Sequence, residues 1–287
     1  MSTGPMTAPP VEPVELELFL EALYRRYHYD FRSYSRASLL RRAELARERL
    51  GCDTLSDLQK RVLHEPAVLP EVLDAMTVQV SELFRDPGYY LALREEVIPH
   101  LRTFPSLKVW VAGCANGEEL YSLAILFQEE GLFGRTLFYA TEINRRALNR
   151  ASAGIYDIDR LSGFSTNYQQ AGGKASLSDY YTAGYGHAVF DRSLRSRTVF
   201  SEHNLATDQV FSEVHLVSCR NVLIYFNAAL QDRALGLFSD ALVRGGFLGL
   251  GAHETLRFSA SAAAWAPFHE RERIWRRTAS EGASHVR

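Results

Sequence analysis

The sequence predicts an α/β protein in which a largely parallel sheet is wound with helices, preceded by an all-helical domain and interrupted by a small antiparallel insert. Three observations lead there. Up to about Leu83 apolar residues recur only at helical spacing, after Pro105 strand-like and helix-like runs alternate, and between Ser162 and Phe200 a glycine- and tyrosine-rich stretch breaks that alternation.

The start, MSTGPMTAPPVEP, reads as a flexible Pro-rich tail over residues 1–13, without the charged and apolar regions of a signal peptide. A helical domain is expected over 14–88. Leu16, Phe19, Leu20, Leu23, Tyr24 and Tyr27 mark its first helix by their three- and four-residue spacing. A second helix, roughly Ser38 to Leu50, keeps Leu39, Ala43, Ala46 and Leu50 on one narrow stripe, leaving Arg41, Arg42, Arg47 and Arg49 for water or a partner. Asp86-Pro87-Gly88 breaks the pattern, and a helix restarts from Tyr89 to Leu101. The second domain, 89–287, carries expected strands at Lys108–Ala112, Thr136–Thr141, Val214–Ser218 and Phe247–Gly251. Its helices are expected at Glu118–Glu130, Arg145–Ala153 and Ala228–Val243. The helix signal fades after Ser162, so a small β subdomain is expected at about 165–200, ending in the alternating HAVFDRSLRSRTVF.

Composition narrows the function. With 287 residues and 46% hydrophobic content the chain can fill its own core, and a net charge of −2 argues against coating nucleic acid. Three cysteines, at 52, 114 and 219, form no C-x-x-C pair and leave one over in any pairing, which fits a reducing cytoplasm and gives no metal site. No apolar run approaches the ~18 residues of a membrane span. His203 and His253 lack ligand-like spacing to a second histidine.

The informative stretch is VWVAGCANGEELYSLAILF, Val109 to Phe127, where a strand passes through a glycine turn into a helix. Such a turn lets a ligand approach the backbone and meet the first amides of the helix. A pyrophosphate would be opposed there by Glu118 and Glu119, and no G-x-G-x-x-G is present, which disfavours a nicotinamide dehydrogenase. The acids suit a cation such as S-adenosylmethionine, with its sulfonium and ammonium groups. Glu142 ends the next strand, about 25 residues on, near the usual ~20 for a ribose-binding acid. Each feature alone also fits a plain tight turn, helix-dipole stabilisation or a solvated strand-end acid.

Several segments in order, VSELFRDP (80–87), VWVAGCANGEELYSLA (109–124), ATEINRRALNRASAGIY (140–156), VFSEHNL (199–205), SCRNVLIYF (218–226) and LVRGGFLGLGAHETL (242–256), resemble the CheR-type chemotaxis receptor methyltransferases. The likeness runs from Val14 to about Thr278. It implies a Rossmann-like S-adenosylmethionine-dependent methyltransferase sheet and a monomeric cytoplasmic enzyme without metal. It also implies methyl esterification of glutamate side chains on the cytoplasmic helical domain of a chemoreceptor or related sensory receptor, with S-adenosylhomocysteine as product. By position it places Gln79, Ser81, Arg85, Gly113, Glu119, Glu142, Asn204, Leu205, Arg220 and Asn221 around the cofactor. Of these, Glu119 meets the methionine ammonium, Glu142 the ribose, and Asn204 and Leu205 the adenine. Arg85 and Tyr225 fall on the catalytic positions, and Arg41, Arg42 and Arg49 on a receptor-docking helix. The hairpin AGYGHAVF looks tighter than in members that grip a receptor's C-terminal tether. This chain departs from the family pattern at Glu142 for aspartate, Gln79 for asparagine and Leu120 for proline or alanine, and SEVHLV lacks the usual aspartate. A CheR-like module that binds the cofactor or a receptor helix without turnover is the alternative.

Overall fold

The computed structural model describes residues 11–256 and 259–278. The chain divides into two compact units after Val78. The first holds α1 (Val11–Tyr27), α2 (Arg36–Arg49), α3 (Leu55–His64) and α4 (Leu69–Met76). Residues 1–10 of the expected tail lie outside the described residues, whereas Val11 to Pro13 open α1, since proline is tolerated in a first helical turn. The α1 core face is Leu16, Phe19, Leu20 and Leu23, as the spacing predicts. Thr54 caps α3 by accepting from the Asp57 amide, and the Asp57 carboxylate accepts from the Thr54 amide in return.

The second unit begins at Gln79, earlier than the break expected after Gly88. Packing gives the reason. Leu83 and Phe84 are fully buried, the Phe84 ring lies 5.0 Å from Tyr90 and 5.3 Å from Tyr168, and the Phe84 amide donates to Ser122 Oγ at 2.8 Å. The unit continues through α5 (Pro87–Ala92), a π-helical turn at Leu93–Val97, and α6 (Ile98–Leu101). It then runs β1 (Leu107–Ala112), α7 (Glu118–Glu129), β2 (Thr136–Glu142), α8 (Arg145–Ala153), β3 (Ile155–Asp157) and α9 (Leu161–Gln170). β4 (Tyr181–Gly184), β5 (His187–Phe190), β6 (Thr198–Glu202), β7 (Val214–Cys219), α10 (Ala228–Ala241), β8 (Leu242–Leu250), β9 (Trp265–His269) and β10 (Ile274–Arg277) complete it.

Seven strands form the main sheet in the order β6-β2-β1-β7-β8-β10-β9, parallel from β6 to β8 and antiparallel beyond. The chain builds outward from β1 through β2 to β6, then crosses back to place β7 on the other side of β1. That reversal opens a crevice at the carboxyl ends of β1 and β7. The register aligns those ends: Ala112 faces Thr141, Val111 faces Ser218, Ser218 faces Gly249, and Glu142 faces Glu202.

The insert differs from the expected one in three respects. Its sheet, β3-β5-β4, starts at Ile155 and ends at Phe190. Thr198–Glu202 instead joins the main sheet as an edge strand parallel to β2, because a half-exposed edge strand alternates just as a hairpin strand does. Helix α9 fills the place where the helix signal fades. Its apolar stripe is only Leu161, Phe164 and Tyr168, too thin to stand out among Ser162, Gly163, Ser165 and Thr166. Helix α10 ends two residues early because Leu242 already pairs with Val214. β9 and β10, short and partly exposed, were not expected; Pro267 suits β9 because it is an edge strand.

Candidate active site

The loop from Gly113 to Gly117 leaves β1 in a left-handed sequence, with Gly113 at φ +72°, Ala115 at +48° and Gly117 at +94°. A side chain at Gly113 would also meet Val222 Cγ2 at 2.7 Å, so the loops after β1 and β7 touch at this point. The Gly113 and Cys114 amides both donate to Thr141 O at 2.9 Å, fixing the loop to β2. Asn116 ties it further: its Nδ2 donates to Gln79 O at 2.9 Å, its Oδ1 accepts from Arg150 at 2.7 Å, and its carbonyl accepts from the Tyr156 hydroxyl at 2.9 Å.

The two acids of the turn part ways. Glu118 is wholly buried; its Oε1 accepts from Arg160 Nη1 at 2.9 Å in an internal ion pair, while its Oε2 is buried with no hydrogen-bond partner among the described residues. Arg160 also donates to Ser81 O. Glu119 faces Arg220 Nη1 at 3.9 Å and is within the field of Arg85, while its Oε1 is buried with no hydrogen-bond partner among the described residues. Burial pushes the Glu119 carboxyl above the usual range, against the opposing pull of Arg220, the Ser218 hydroxyl and Arg85. A buried carboxylate oxygen left without a donor is a place for a cationic N–H group. The methionine ammonium of S-adenosylmethionine fits that requirement.

Glu142, at the end of β2, is 6% exposed and already engaged. Its Oε1 accepts from the Ile143 and Asn144 amides at 2.9 and 3.1 Å, and its Oε2 from Ala115 at 3.0 Å. The Gln79 side chain supplies a further hydrogen bond. Burial raises this carboxyl too, more than the Asn144, Ala115, Ile143 and Gln79 donors lower it. The extra methylene of glutamate lets it curl back onto its own loop. Asn204 and Leu205 follow β6 beside it, since the His203 amide donates to Glu142 O at 3.2 Å. Asn204 Oδ1 accepts from the Ala206 amide at 2.9 Å, and Leu205 is buried.

Arg220 leaves β7 nearly fully buried, donating to Arg85 O at 3.0 Å and to Asp86 Oδ2 at 2.7 Å, with its guanidinium 4.2 Å over the Tyr89 ring. Its Nε has no partner among the described residues. Asn221 adopts φ +61° and begins the loop to the 3-10 turn at Leu223–Tyr225. Arg85 and Tyr225 are half-buried, and neither side chain makes an ion pair or hydrogen bond with the described residues.

Thus one rim gathers Gln79, Ser81, Arg85, Gly113, Glu119, Glu142, Asn204, Leu205, Arg220 and Asn221, with Tyr225 on the loop that Asn221 begins. Arg41, Arg42 and Arg49 belong to α2 in the other unit; Arg41 and Arg49 are exposed, while Arg47 is taken by Glu44 at 2.6 Å. Sequence reasoning missed Asn116, Arg160 and Glu254 as organisers of this rim. Glu254 had only its place after a glycine-rich strand to mark it, and polar residues that serve backbone amides carry no spacing signature. Among the described residues no group of three His, Cys, Asp or Glu is placed to hold a metal, and no helix is long and apolar enough to cross a membrane.

Comparison with known proteins covers both units of the chain. Residues 79–268 match the CheR methyltransferase SAM binding domain and residues 14–77 the CheR methyltransferase all-alpha domain. A Pseudomonas putida protein named as the candidate methyltransferase Cher3 is 52% identical over 273 residues, 95% of this chain and all of that one. Chemotaxis protein methyltransferase 1 of Pseudomonas aeruginosa is 32% identical, covering 73% of this chain and 78% of its own. A Listeria innocua chemotaxis protein methyltransferase is 30% identical over 71% and 75%. With both units matched and a glycine loop, strand-end acid and buried arginine on one rim, the chain belongs to the CheR methyltransferase family.

Proposed function

We propose that the chain transfers a methyl group from S-adenosylmethionine to glutamate carboxylates on the cytoplasmic helical domain of a chemoreceptor or related sensory receptor. The observation that carries the reading is the unsatisfied Oε1 of Glu119, buried in the first turn of α7 behind the glycine loop, with Arg220 at 3.9 Å from its other oxygen and Arg85 within its field. Support for the receptor comes from the chemotaxis names of relatives about one-third identical. When bound, S-adenosylmethionine supplies a sulfonium-activated methyl group. A substrate glutamate, with an ordinary pKa near ~4.3, is ionised at neutral pH and attacks without a general base. The residues therefore need only align and dry the reactants, and orientation can supply about 7–11 kcal/mol.

Glu119 accepts from the methionine ammonium, Glu142 and Gln79 meet the ribose, and Asn204 and Leu205 flank the adenine. Gly113, Ser81, Arg220 and Asn221 shape the rest of the cleft. Arg85 positions substrate against cofactor, and Tyr225 directs one carboxylate oxygen by donating its free hydroxyl. Arg41, Arg42 and Arg49 attract the acidic receptor helix. The test is incubation with labelled methyl donor and receptor cytoplasmic domains, followed by mass mapping of modified residues; methyl esters on glutamate are expected, and label on no glutamate overturns the proposal.

One observation favours a binding module without turnover: the Glu142 carboxylate is already held by three amides and Gln79. Cofactor affinity without transfer to any receptor fragment would select that reading.

A further inference from the structure

Beyond the rim lies Glu254, four residues past the end of β8 and 4% exposed. Its Oε2 accepts from the Gly251 amide at 2.6 Å and the Asn221 amide at 3.1 Å, and its Oε1 from Val222 at 2.9 Å and Leu223 at 2.7 Å. A carboxylate offers about four acceptor positions, and all four are filled by backbone donors. Glu254 therefore has no capacity left for a ligand or a travelling proton. Its chemistry is spent on the loop.

Three successive amides, 221–223, converge on one side of that carboxylate because Asn221 takes a left-handed conformation at φ +61°. Converging amides of this kind form a concavity that attracts an anion. Here the anion is the protein's own. The fit is close: a Cβ at Gly251 would fall 2.8 Å from Asn221 N and 2.9 Å from Glu254 Oε2. From the other side Gln231 Nε2 donates to Leu223 O at 3.0 Å and Phe226 O at 3.1 Å. The loop from Arg220 to Tyr225 is thus clamped between a side chain after β8 and a side chain of α10.

We infer that Glu254 is the positioning residue of this enzyme: by gathering the 221–223 amides it sets where Asn221 meets the cofactor and where Tyr225 presents its hydroxyl, while touching neither reactant itself. The inference rests on the proposed methyl transfer for its kinetic consequence only, since the clamp itself is a matter of geometry.

The test compares wild type with Glu254→Gln and Glu254→Asp in the full chain. Glutamine replaces an acceptor oxygen with an N–H₂ that opposes two amide donors, and aspartate falls one methylene short. Hydrogen exchange at 221–223 should quicken at least tenfold in Glu254→Gln while amides of β1 and α7 keep their wild-type rates. Methyl-transfer kcat should fall about 10- to 100-fold, as for a misplaced catalytic group, with Glu254→Asp intermediate and KM for the receptor fragment little changed. Unchanged exchange at 221–223, or acceleration spread evenly through the sheet with kcat loss equal to the unfolded fraction, would overturn the inference. If Glu254→Gln does not fold, Glu254→Asp carries both readouts. Should the wild type transfer no methyl group, the proposed function fails, and the exchange rates still decide whether Glu254 holds the loop.

Discussion

Arg220 holds Asp86 at 2.7 Å and the carbonyl of Arg85 at 3.0 Å, so the turn before α5 is tied to the end of β7 through the backbone and side chain that flank the Arg85 guanidinium, and not through that guanidinium. The consequence is a division of labour. Arg220 fixes the position of the turn, and the Arg85 side chain is left uncommitted.

Arg85→Ala and Tyr225→Phe should therefore separate activity from stability. Neither side chain has an ion pair or hydrogen bond to lose within the described residues, so each substitution should stay within about 0.5 kcal/mol of wild-type stability. Methyl transfer should fall at least about 100-fold for Arg85→Ala, as for other misaligned reactants. Thermal melts beside single-turnover rates make the measurement; matched losses in both would return these residues to a structural role.

Glu119 predicts a pH dependence. Its carboxyl is raised by burial in the free protein, and a bound ammonium favours the ionised form, so binding expels a proton and affinity rises with pH until the raised value is passed. The linkage for folding has the opposite sense, since the stability of the empty protein is greatest below the unfolded value and declines as pH rises through the folded one. Glu119→Gln should thus bind S-adenosylmethionine about 10- to 100-fold more weakly, the worth of about 1.5–3 kcal/mol for a charged hydrogen bond. It should flatten the pH profile and melt higher at pH 8. Calorimetry across pH 5–8 on both proteins decides it.

Gln79 and Glu142, the two departures from asparagine and aspartate, meet each other in this structure, and their substitutions should not be additive. Glu142→Asp alone should weaken cofactor binding by withdrawing the carboxylate from Ala115. Gln79→Asn added to it should restore part of the loss. A double-mutant cycle on the dissociation constant reads the coupling, and strict additivity would show that the two act independently.

On α2, Arg41 and Arg49 are exposed and have no ion pair among the described residues. Arg41, Arg42 and Arg49 changed together to Glu should raise KM for a receptor fragment at low salt and leave cofactor affinity unchanged. Salt should weaken the wild type more than the variant, because screening acts over ~10 Å at 0.1 M. Identical receptor kinetics at low salt would reduce the helix to a solvated face.

Away from the rim, Arg94 is 7% exposed through its side chain and pairs with Glu129 at 2.6 Å and Glu130 at 2.8 Å. Burial pushes the Glu130 carboxyl up, but hydrogen bonds from Lys174 and Arg94 outweigh it and hold the group low. Its stability contribution is accordingly present above the usual carboxylate range and lost as pH falls through the lowered value. Arg94→Ala removes one of the cations on each acid but leaves Glu130 with Lys174 and Arg102 and Glu129 with the Tyr168 and Tyr180 hydroxyls, so it should cost about 1–3 kcal/mol at pH 7, with a smaller cost near pH 4 in denaturant melts.

The parallel strands were legible because β1, β2 and β7 are short apolar runs closed by polar or glycine residues, and α8 because Asn144 caps it and Gly154 ends it. The rim was legible where ordered motifs fix residue types, as in FRDP and CRNVLIYF. What escaped was pairing. GEE offers two equivalent acids, and only the fold shows that Arg160 takes Glu118 and leaves Glu119 open. Thr198–Glu202 alternates alike as hairpin or edge strand, and α9 hides its three apolar anchors among small polar residues. Glu254 was invisible because three of its four partners are backbone amides more than thirty positions away.

The position of Glu254 in the chain also gives the crevice a timetable. A ribosome delivers β1, β2, β6 and β7, with every residue of the glycine loop, well before the carboxylate that gathers Asn221 to Leu223. β8, paired with β7 on one side, gains its second neighbour only when β10 arrives and the Leu250 amide reaches Arg273 O. A nascent chain can therefore lay down the parallel strands β1, β2, β6 and β7 early, yet the loop after β7 takes its final shape only once Glu254 has been made, after every residue of the glycine loop.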